Sequence, residues 1–113
     1  MALHYELPIY KASYDLLIQI FKLTTNFSKE YKYTVGEKLK NEILELLLNV
    51  YRANSQYQKK EIIQKGRENI EIVRVLLRIV KDMHQISTDK FAEINLKIEN
   101  ISKQLLGWQK SSA

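Results

Sequence analysis

The sequence predicts an all-α protein, folded as an antiparallel up-down-up-down four-helix bundle. Four segments carry apolar residues three and four positions apart, which is the spacing of an amphipathic helix. The alternation typical of strands is absent, and the chain contains only one proline and three glycines. With 113 residues it is long enough for one packed core, so we expect a single domain over residues 1–113.

The first predicted helix spans about residues 8–27 and begins at Pro8, whose fixed φ suits a first helical turn. Ser13 fills a gap in its core-facing stripe, and a second apolar stripe widens the buried face. The core-facing stripe consists of Ile9, Leu16, Ile20, Leu23 and Phe27, and the second stripe of Tyr10, Tyr14, Leu17 and Phe21.

The second predicted helix spans about residues 34–54 and follows a loop at residues 28–33. Thr34 followed by Glu37 is a capping-box pattern, which predicts the start of this helix. Its apolar face consists of Leu39, Ile43, Leu46, Val50 and Ala53, flanked by Leu44, Leu47, Leu48 and Tyr51.

The third predicted helix spans about residues 59–85. Gly66 lies in its core-facing stripe, where glycine costs about 1 kcal/mol relative to alanine, and we interpret it as a point of close helix–helix approach. His84 ends the stripe and is therefore expected to be partly buried. The whole stripe consists of Ile63, Gly66, Ile70, Val73, Leu77, Val80 and His84.

The fourth predicted helix spans about residues 88–106, with Ser87 as its N-cap. Gly107 is interpreted as the glycine that ends the helix, with Trp108 folding back on the last turn. Its core-facing stripe consists of Phe91, Ile94, Ile98, Ile101 and Leu105.

The second and third helices have apolar faces broader than one stripe. Such faces leave surface for self-association, although a thicker core within one chain explains them nearly as well. A homo-oligomer is therefore one of two open interpretations of this pattern.

The composition excludes several classes of protein. There is no cysteine, so disulfides, thiolate metal sites and a cysteine nucleophile are excluded. No apolar run approaches the roughly 20 residues of a membrane span, and the first residues do not resemble a signal peptide. We therefore expect a cytoplasmic protein that does not act at a membrane.

No catalytic or metal-binding motif is present. Neither His4 nor His84 has the Glu-x-x-His spacing of di-iron bundles, and there is no glycine-rich phosphate loop. Glu42 and Glu45 are close enough along a helix to act as paired acids, but solvated or ion-paired carboxylates are far commoner. We expect a protein that is not an enzyme and that has no metal and no cofactor.

The positive charge is concentrated in one segment. Of the formal net charge of +5, residues 59–81 supply +4, because they hold seven Lys/Arg against three Asp/Glu. A segregated charge of one sign favours an anionic partner, although a solvated basic face remains the simpler alternative.

Within this segment the charged residues follow the three-four spacing of one helix face. This basic stripe consists of Arg67, Glu71, Arg74, Arg78 and Lys81. Arginine offers a rigid fork of donors that suits phosphate or carboxylate. Four tyrosines have side chains able to stack on nucleobases, although packing in the core or loops is the expected role of each: Tyr31, Tyr33, Tyr51 and Tyr57.

Five blocks carry a family resemblance over nearly the whole chain: "LPIYKASYDLL" (7–17), "EYKYTVGEKLKNE" (30–42), "YRAN" (51–54), "RENIEIVRVLLRI" (67–79) and "SKQLLGWQKS" (102–111). They resemble the small four-helix-bundle proteins related to those encoded in ribosomal-RNA intervening sequences. Within that group the chain is most similar to the accessory variability determinant (Avd) of diversity-generating retroelements.

This resemblance implies a four-helix bundle assembled into a ring-like homo-oligomer, a pentamer. It also implies a non-catalytic accessory protein that binds the element's reverse transcriptase and its template-repeat RNA or other nucleic acid, in support of mutagenic, adenine-directed cDNA synthesis. The alternative is a relative of the intervening-sequence type that acts as a structural scaffold for protein–protein interactions.

The family's basic surface can be placed on the matching positions Arg52, Arg67, Arg74 and Arg78. Four lysines are added on charge grounds alone: Lys59, Lys60, Lys65 and Lys81. Together these eight residues form the expected interface for nucleic acid or protein partners.

Overall fold

The structure, a computed structural model, describes residues 3–112, so residues 1, 2 and 113 of the expected domain lie outside the described range. A 3-10 turn at His4–Glu6 precedes five helices: α1 (Pro8–Thr24), α2 (Lys29–Lys32), α3 (Val35–Ser55), α4 (Lys60–Asp82) and α5 (Thr88–Ser111). No strand occurs within residues 3–112. The four long helices confirm the predicted all-α class, and α2 is a short addition to it.

The long helices form a closed set of neighbours. Helix α3 lies against α1 and α4, and α5 lies against α4 and α1. On α4 and α5, Arg67 contacts Gln109 whereas Arg74 contacts Glu99, so residue numbers rise along one helix as they fall along the other. Neighbouring helices therefore run antiparallel here, as expected when short loops connect them.

One apolar stripe from each long helix forms the core. The core-facing stripes are buried almost throughout; Leu23 and Phe91 are half-buried, and His84 is exposed. The flanking stripes widen the buried faces less than expected: Leu17 and Leu47 are buried, but Tyr14, Phe21, Leu44 and Tyr51 are exposed. The largest side chains that are fully buried are Leu16, Ile20, Leu39, Ile43, Leu46, Ile63, Ile70, Leu77, Ile94, Ile98, Ile101 and Leu105. Truncating such a residue to alanine removes transfer energy and leaves a cavity, which typically costs about 2–5 kcal/mol.

A polar chain joins α3 to α4 beside this core. The buried Asn49 donates from Nδ2 to Asn69 Oδ1 at 2.8 Å, and Asn69 Nδ2 donates to Glu42 Oε2 at 3.0 Å. Lys38 Nζ lies 3.3 Å from the other oxygen of Glu42. Because a buried amide without a partner is costly, these hydrogen bonds favour one register between α3 and α4. Glu42 is thus a structural acceptor.

The two predicted N-caps have different outcomes. Ser87 Oγ accepts a hydrogen bond from the Lys90 backbone N–H at 3.0 Å, so the predicted cap of α5 is confirmed. The capping box at Thr34 is wrong, because the Thr34 hydroxyl donates to Glu30 O at 2.8 Å and α3 has no side-chain cap. The predicted loop at residues 28–33 contains α2, and the backbone carbonyl of Glu30 in α2 accepts the hydrogen bond of this hydroxyl.

Gly107 does not end α5, so the predicted boundary at residue 106 is wrong. The helix continues to Ser111, and a Cβ added at Gly107 would meet nothing within 4 Å. Trp108 is half-buried against the core, and its packing outweighs the roughly 1 kcal/mol penalty of a glycine in a helix. This extension adds one turn that carries Gln109 and Lys110.

Gly66 does lie where helices meet, but the space does not require glycine. A Cβ at this position would lie 3.5 Å from Leu46 Cδ1 and 3.8 Å from Leu105 Cδ2, which are ordinary contact distances. Gly66 therefore lies at a helix–helix contact, as interpreted from the sequence, but the helices approach no closer there than an alanine would allow.

His84 ends α4 instead of extending its buried stripe. Its φ is +60°, in the left-handed region that favours glycine. The His84 N–H donates to Lys81 O and the Gln85 N–H donates to Val80 O, both at 2.9 Å. These two bonds form a Schellman motif, which satisfies the last carbonyls of the helix. A residue with a Cβ in this conformation is strained.

We predict that His84→Gly raises the free energy of unfolding by about 0.5–1 kcal/mol, because glycine relieves the left-handed strain. Urea unfolding followed by circular dichroism measures the change. His84→Ala is the matched control, since it removes the exposed ring but keeps the Cβ, and it should give no gain. A glycine variant no more stable than the alanine variant would contradict this account of the helix end.

Candidate nucleic-acid and partner interface

The basic stripe of α4 lies along the groove between α4 and α5. Arg67 contacts Gln109, Arg74 contacts Glu99, and the Lys81 ammonium lies 5.2 Å from the centre of the Phe91 ring. The groove places cations of α4 within reach of side chains from α5. The stripe is therefore not uniformly free for a ligand.

Arg74 is held between two carboxylates. Its Nε donates to Glu71 Oε2 at 3.1 Å, and its Nη1 donates to Glu99 Oε1 across the groove. Burial lowers the pKa of the Arg74 guanidinium, but the hydrogen bonds to Glu99 and Glu71 outweigh that effect, so its pKa lies above the ordinary value. The guanidinium is permanently charged, and its charge is balanced within the chain.

The two remaining cations toward the C-terminus of α4 are also engaged. Arg78 Nε lies 3.2 Å from both carboxylate oxygens of Asp82, one turn along the same helix. Because the Arg78 side chain is 65% exposed, this pair is weak and open to competition. Lys81 is half-buried and makes a cation–π contact with Phe91, as described above.

Arg67 differs because its partners are neutral amides. Its Nη1 donates to Gln109 Oε1 at 2.6 Å and approaches Gln64 Oε1 at 3.4 Å. Gln109 in turn donates from Nε2 to Lys60 O at 3.2 Å, which ties the end of α5 to the start of α4. No carboxylate within residues 3–112 forms an ion pair with Arg67. The guanidinium is therefore oriented but not neutralised.

The start of α4 carries further cations without acidic partners. Lys60 and Lys65 are exposed, and neither makes an ion pair with any described residue. Lys59 lies 5.9 Å from the centre of the Trp108 ring, so the extended end of α5 helps to position it. We call the set Lys59, Lys60, Lys65 and Arg67 the basic end.

Lys110 was missed by the sequence reasoning. It is exposed on the last turn of α5, next to Gln109, and therefore lies beside the start of α4. The reason is the wrong helix boundary, because the prediction that α5 ends at Gly107 leaves Lys110 outside the helix. The half-buried Trp108, one turn after the buried Leu105, was the signal that the helix continues.

Arg52 lies on α3, apart from the stripe. Its Nη1 donates to Asn49 Oδ1 at 3.1 Å and is 3.8 Å from Glu45 Oε2. It is exposed in the last turns of α3, shortly before the loop that leads to the basic end. The structure thus brings Lys59, Lys60, Lys65 and Arg67 together, with Arg52 on the preceding helix.

The four tyrosines named from the sequence lie in different surroundings. Tyr31 is half-buried against the core, as expected, whereas Tyr57 is 98% exposed in the α3–α4 loop. Tyr33 is exposed, with the Lys32 ammonium 6.0 Å from its ring. Tyr51 contacts the ring of His4 with a centroid distance of 4.8 Å. Packing therefore explains Tyr31, but not Tyr57.

Exposed apolar residues flank the paired half of the stripe. On α4 these residues lie on one face of the helix, where Val75 is 59% exposed. On α5, Leu96 is 72% exposed. Val75, Ile79 and Phe91 also line a groove of about 570 Å³ together with Arg74 and Arg78. The exposed apolar side chains on this face of α4 are Ile72, Val75, Ile79 and Met83. We call this set the α4 outer face.

Two properties of residues 3–112 bear on the other function classes. No group of three or more His, Asp or Glu side chains in that range lies close enough together to hold a metal ion. None of the helices described is both long and apolar enough to pass through a lipid bilayer.

The sequence matches a family model described as bAvd-like over residues 7–112. The match covers all four long helices and the whole basic segment. No curated protein matches the sequence.

We predict a measurable coupling between Arg74 and Glu99, because the pair crosses a partly buried groove. A double-mutant cycle with Arg74→Gln and Glu99→Gln, followed by urea unfolding, should give about 0.5–1 kcal/mol. The exposed Arg78–Asp82 pair is the control and should give about 0.3–0.5 kcal/mol. A coupling of zero would contradict the pairing of Arg74 with Glu99 across the groove.

Proposed function

The chain belongs to the bAvd-like family, and on that basis we propose that it is a non-catalytic accessory protein of a diversity-generating retroelement. In this proposal it binds the template-repeat RNA and the reverse transcriptase of the element. It holds the two together during mutagenic cDNA synthesis, while the polymerase performs all the chemistry.

The observation that carries the RNA-binding part of the proposal is the basic end. Lys59, Lys60, Lys65 and Arg67 have no acidic partner in the described part of the chain, so a polyanion can bind them without breaking an ion pair. Phosphate contacts of this kind release counterions, which makes the affinity strongly dependent on salt. Arg67, held in place by Gln109, is positioned to donate to a phosphate.

The paired half of the stripe suits a protein partner better than RNA. Arg74 already has two carboxylate acceptors and Arg78 has one, so a phosphate would have to displace them. The α4 outer face beside them is apolar, and burying it against another chain is favourable. We propose that copies of the chain associate through this face into a ring, with the five members that the family resemblance implies.

The reverse transcriptase would then bind the assembled ring. Assembly of the ring would bury the apolar side chains of the α4 outer face and leave the basic ends exposed. The ring would then present several copies of the same cationic surface to RNA and polymerase. Multiple weak contacts of this kind add up to a high avidity if they can be engaged together.

The scaffold of the intervening-sequence type remains the second candidate. The intramolecular pairing of Arg74 and Arg78 favours it, because those residues were expected to be free for nucleic acid. This candidate requires only the apolar face and not the basic end, so RNA binding discriminates between the two.

We predict that Lys60→Gln/Lys65→Gln weakens binding of a labelled single-stranded RNA more than Arg74→Gln/Arg78→Gln does. Each double variant removes the same formal charge, so the difference isolates direct phosphate contacts. The slope of log affinity against log salt should fall by about 1.4 for the lysine variant if both residues contact phosphate. The slope should fall less for the arginine variant, as measured by fluorescence anisotropy across a salt series.

Equal effects of the two double variants would contradict the assignment of RNA to the basic end. Absence of any salt-dependent RNA binding by the unmodified chain would contradict the accessory role itself and support the scaffold.

We predict that Val75→Asp/Ile79→Asp converts an oligomer into a monomer of 13.4 kDa, because it places carboxylates in the proposed contact between copies. Light scattering after size-exclusion chromatography measures the mass. Leu44→Asp is the matched control, since Leu44 is 40% exposed on α3 and should leave the mass unchanged. If Leu44→Asp gives the monomer and Val75→Asp/Ile79→Asp does not, the contact between copies lies on α3.

A further inference from the structure

An aromatic cluster lies on the surface formed by the 3-10 turn, α1 and the end of α3. The ring of His4 is at its centre, with centroid distances of 5.5 Å to Tyr5, 5.0 Å to Tyr10 and 4.8 Å to Tyr51, all edge-on. Tyr14 continues the cluster along α1, with its ring 6.3 Å from that of Tyr10 at an interplanar angle of 24°. The packing of His4 thus joins three segments of the chain.

Folding of the bundle does not bury this cluster. Tyr5 is 55% exposed, Tyr14 49% and Tyr51 47%. None of their hydroxyl groups forms a hydrogen bond with another residue of the described range. Three large rings therefore keep ring surface in contact with water. Apolar surface grouped in this way on a small domain is typical of a binding site.

Three of the tyrosines border a cavity of about 620 Å³, which has the size of a small-ligand site. Its lining residues are Tyr5, Tyr10, Lys11, Tyr14, Asp15 and Ile18.

The charges at this cavity favour an anionic ligand. Asp15 Oδ2 lies 3.1 Å from Lys97 Nζ, so its negative charge is balanced. Lys11 is exposed and has no acidic partner among residues 3–112. Of the two charged side chains that line the cavity, Lys11 is the one without an ion-pair partner among residues 3–112, and it adjoins flat aromatic surface. The exposed Glu6 follows Tyr5 in the chain but does not line the cavity.

We infer that this cluster binds the unpaired bases of a single-stranded nucleic acid by stacking, with Lys11 facing the phosphates. A base has a π face whatever its identity, so stacking on tyrosine tolerates any sequence. Duplex RNA hides these faces within its own stack and cannot use the site. The inference rests on the proposed function, which it extends from charge recognition to a preference for single strands.

The cluster lies toward the same end of the bundle as the basic end. Tyr51 is in the last turns of α3 and is followed directly by Arg52. The α3–α4 loop then presents Tyr57, which is 98% exposed, before Lys59 and Lys60. A strand stacked on the cluster can therefore continue along the same end of the bundle toward the unpaired lysines.

The test compares Tyr5→Leu/Tyr14→Leu with Tyr5→Phe/Tyr14→Phe in the full chain. Leucine keeps apolar volume but removes the π face, whereas phenylalanine keeps it. The probes are a labelled oligouridylate and a labelled RNA duplex, titrated by fluorescence anisotropy at several salt concentrations. The leucine variant should bind oligouridylate about tenfold more weakly than the unmodified chain if one ring stacks on a base, and more weakly again if both rings do.

Three other readouts make the result specific. The leucine variant should keep its affinity for the duplex, and its salt slope should be unchanged because no charge has been removed. The phenylalanine variant should bind like the unmodified chain. Circular dichroism should show intact helices in both variants, since Tyr5 and Tyr14 are largely exposed.

Several outcomes would overturn the inference. If the leucine variant binds oligouridylate normally while Lys60→Gln/Lys65→Gln weakens binding, the stacking site is wrong and the proposed function stands. If the unmodified chain binds neither probe, both are wrong. If the leucine variant changes the oligomeric mass or loses only binding of the reverse transcriptase, the cluster is a protein contact and not a base-stacking site.

Discussion

Burial of one apolar stripe from each long helix is the interaction on which the other features depend. The stripes meet in a single core that leaves side chains such as Leu39, Ile70 and Ile98 with no exposed surface. Once these stripes face inward, every cation of α4 is forced to the edge or the outside of the bundle. The hydrogen bond from the buried Asn49 to Asn69 then favours one register between α3 and α4. The position of each charge follows from this arrangement.

The same geometry divides the cations into two groups. Antiparallel packing places Glu99 opposite Arg74 and Gln109 opposite Arg67, so one guanidinium meets a carboxylate and the other an amide. An ion pair within the chain satisfies an arginine before any ligand arrives, whereas an amide only orients it. Charge density along the sequence therefore overstates the number of cations that are available to a partner.

The molecule presents three distinct surfaces: the basic end, the apolar outer face of α4, and the aromatic cluster around His4. Their separation would let the proposed RNA and protein partners bind at the same time. Both the aromatic cluster and the basic end lie toward one end of the bundle, because the start of α1 meets the end of α3 there. The outer face of α4 extends along the side of the bundle. A partner bound to the α4 outer face would therefore leave the basic end and the aromatic cluster accessible.

The sequence by itself determined the four long helices, their buried stripes and the segment that holds the net charge, because apolar periodicity and charge are local properties of the chain. The family was also identified from its blocks. Only the tertiary structure decided that Arg74 pairs with Glu99 across the groove, since these residues are 25 positions apart in the sequence. It also decided that Gly107 continues a helix, because Trp108 packs on the core, and that His84 ends one. The aromatic cluster required the structure for the same reason: His4 and Tyr51 meet only when α1 packs against α3.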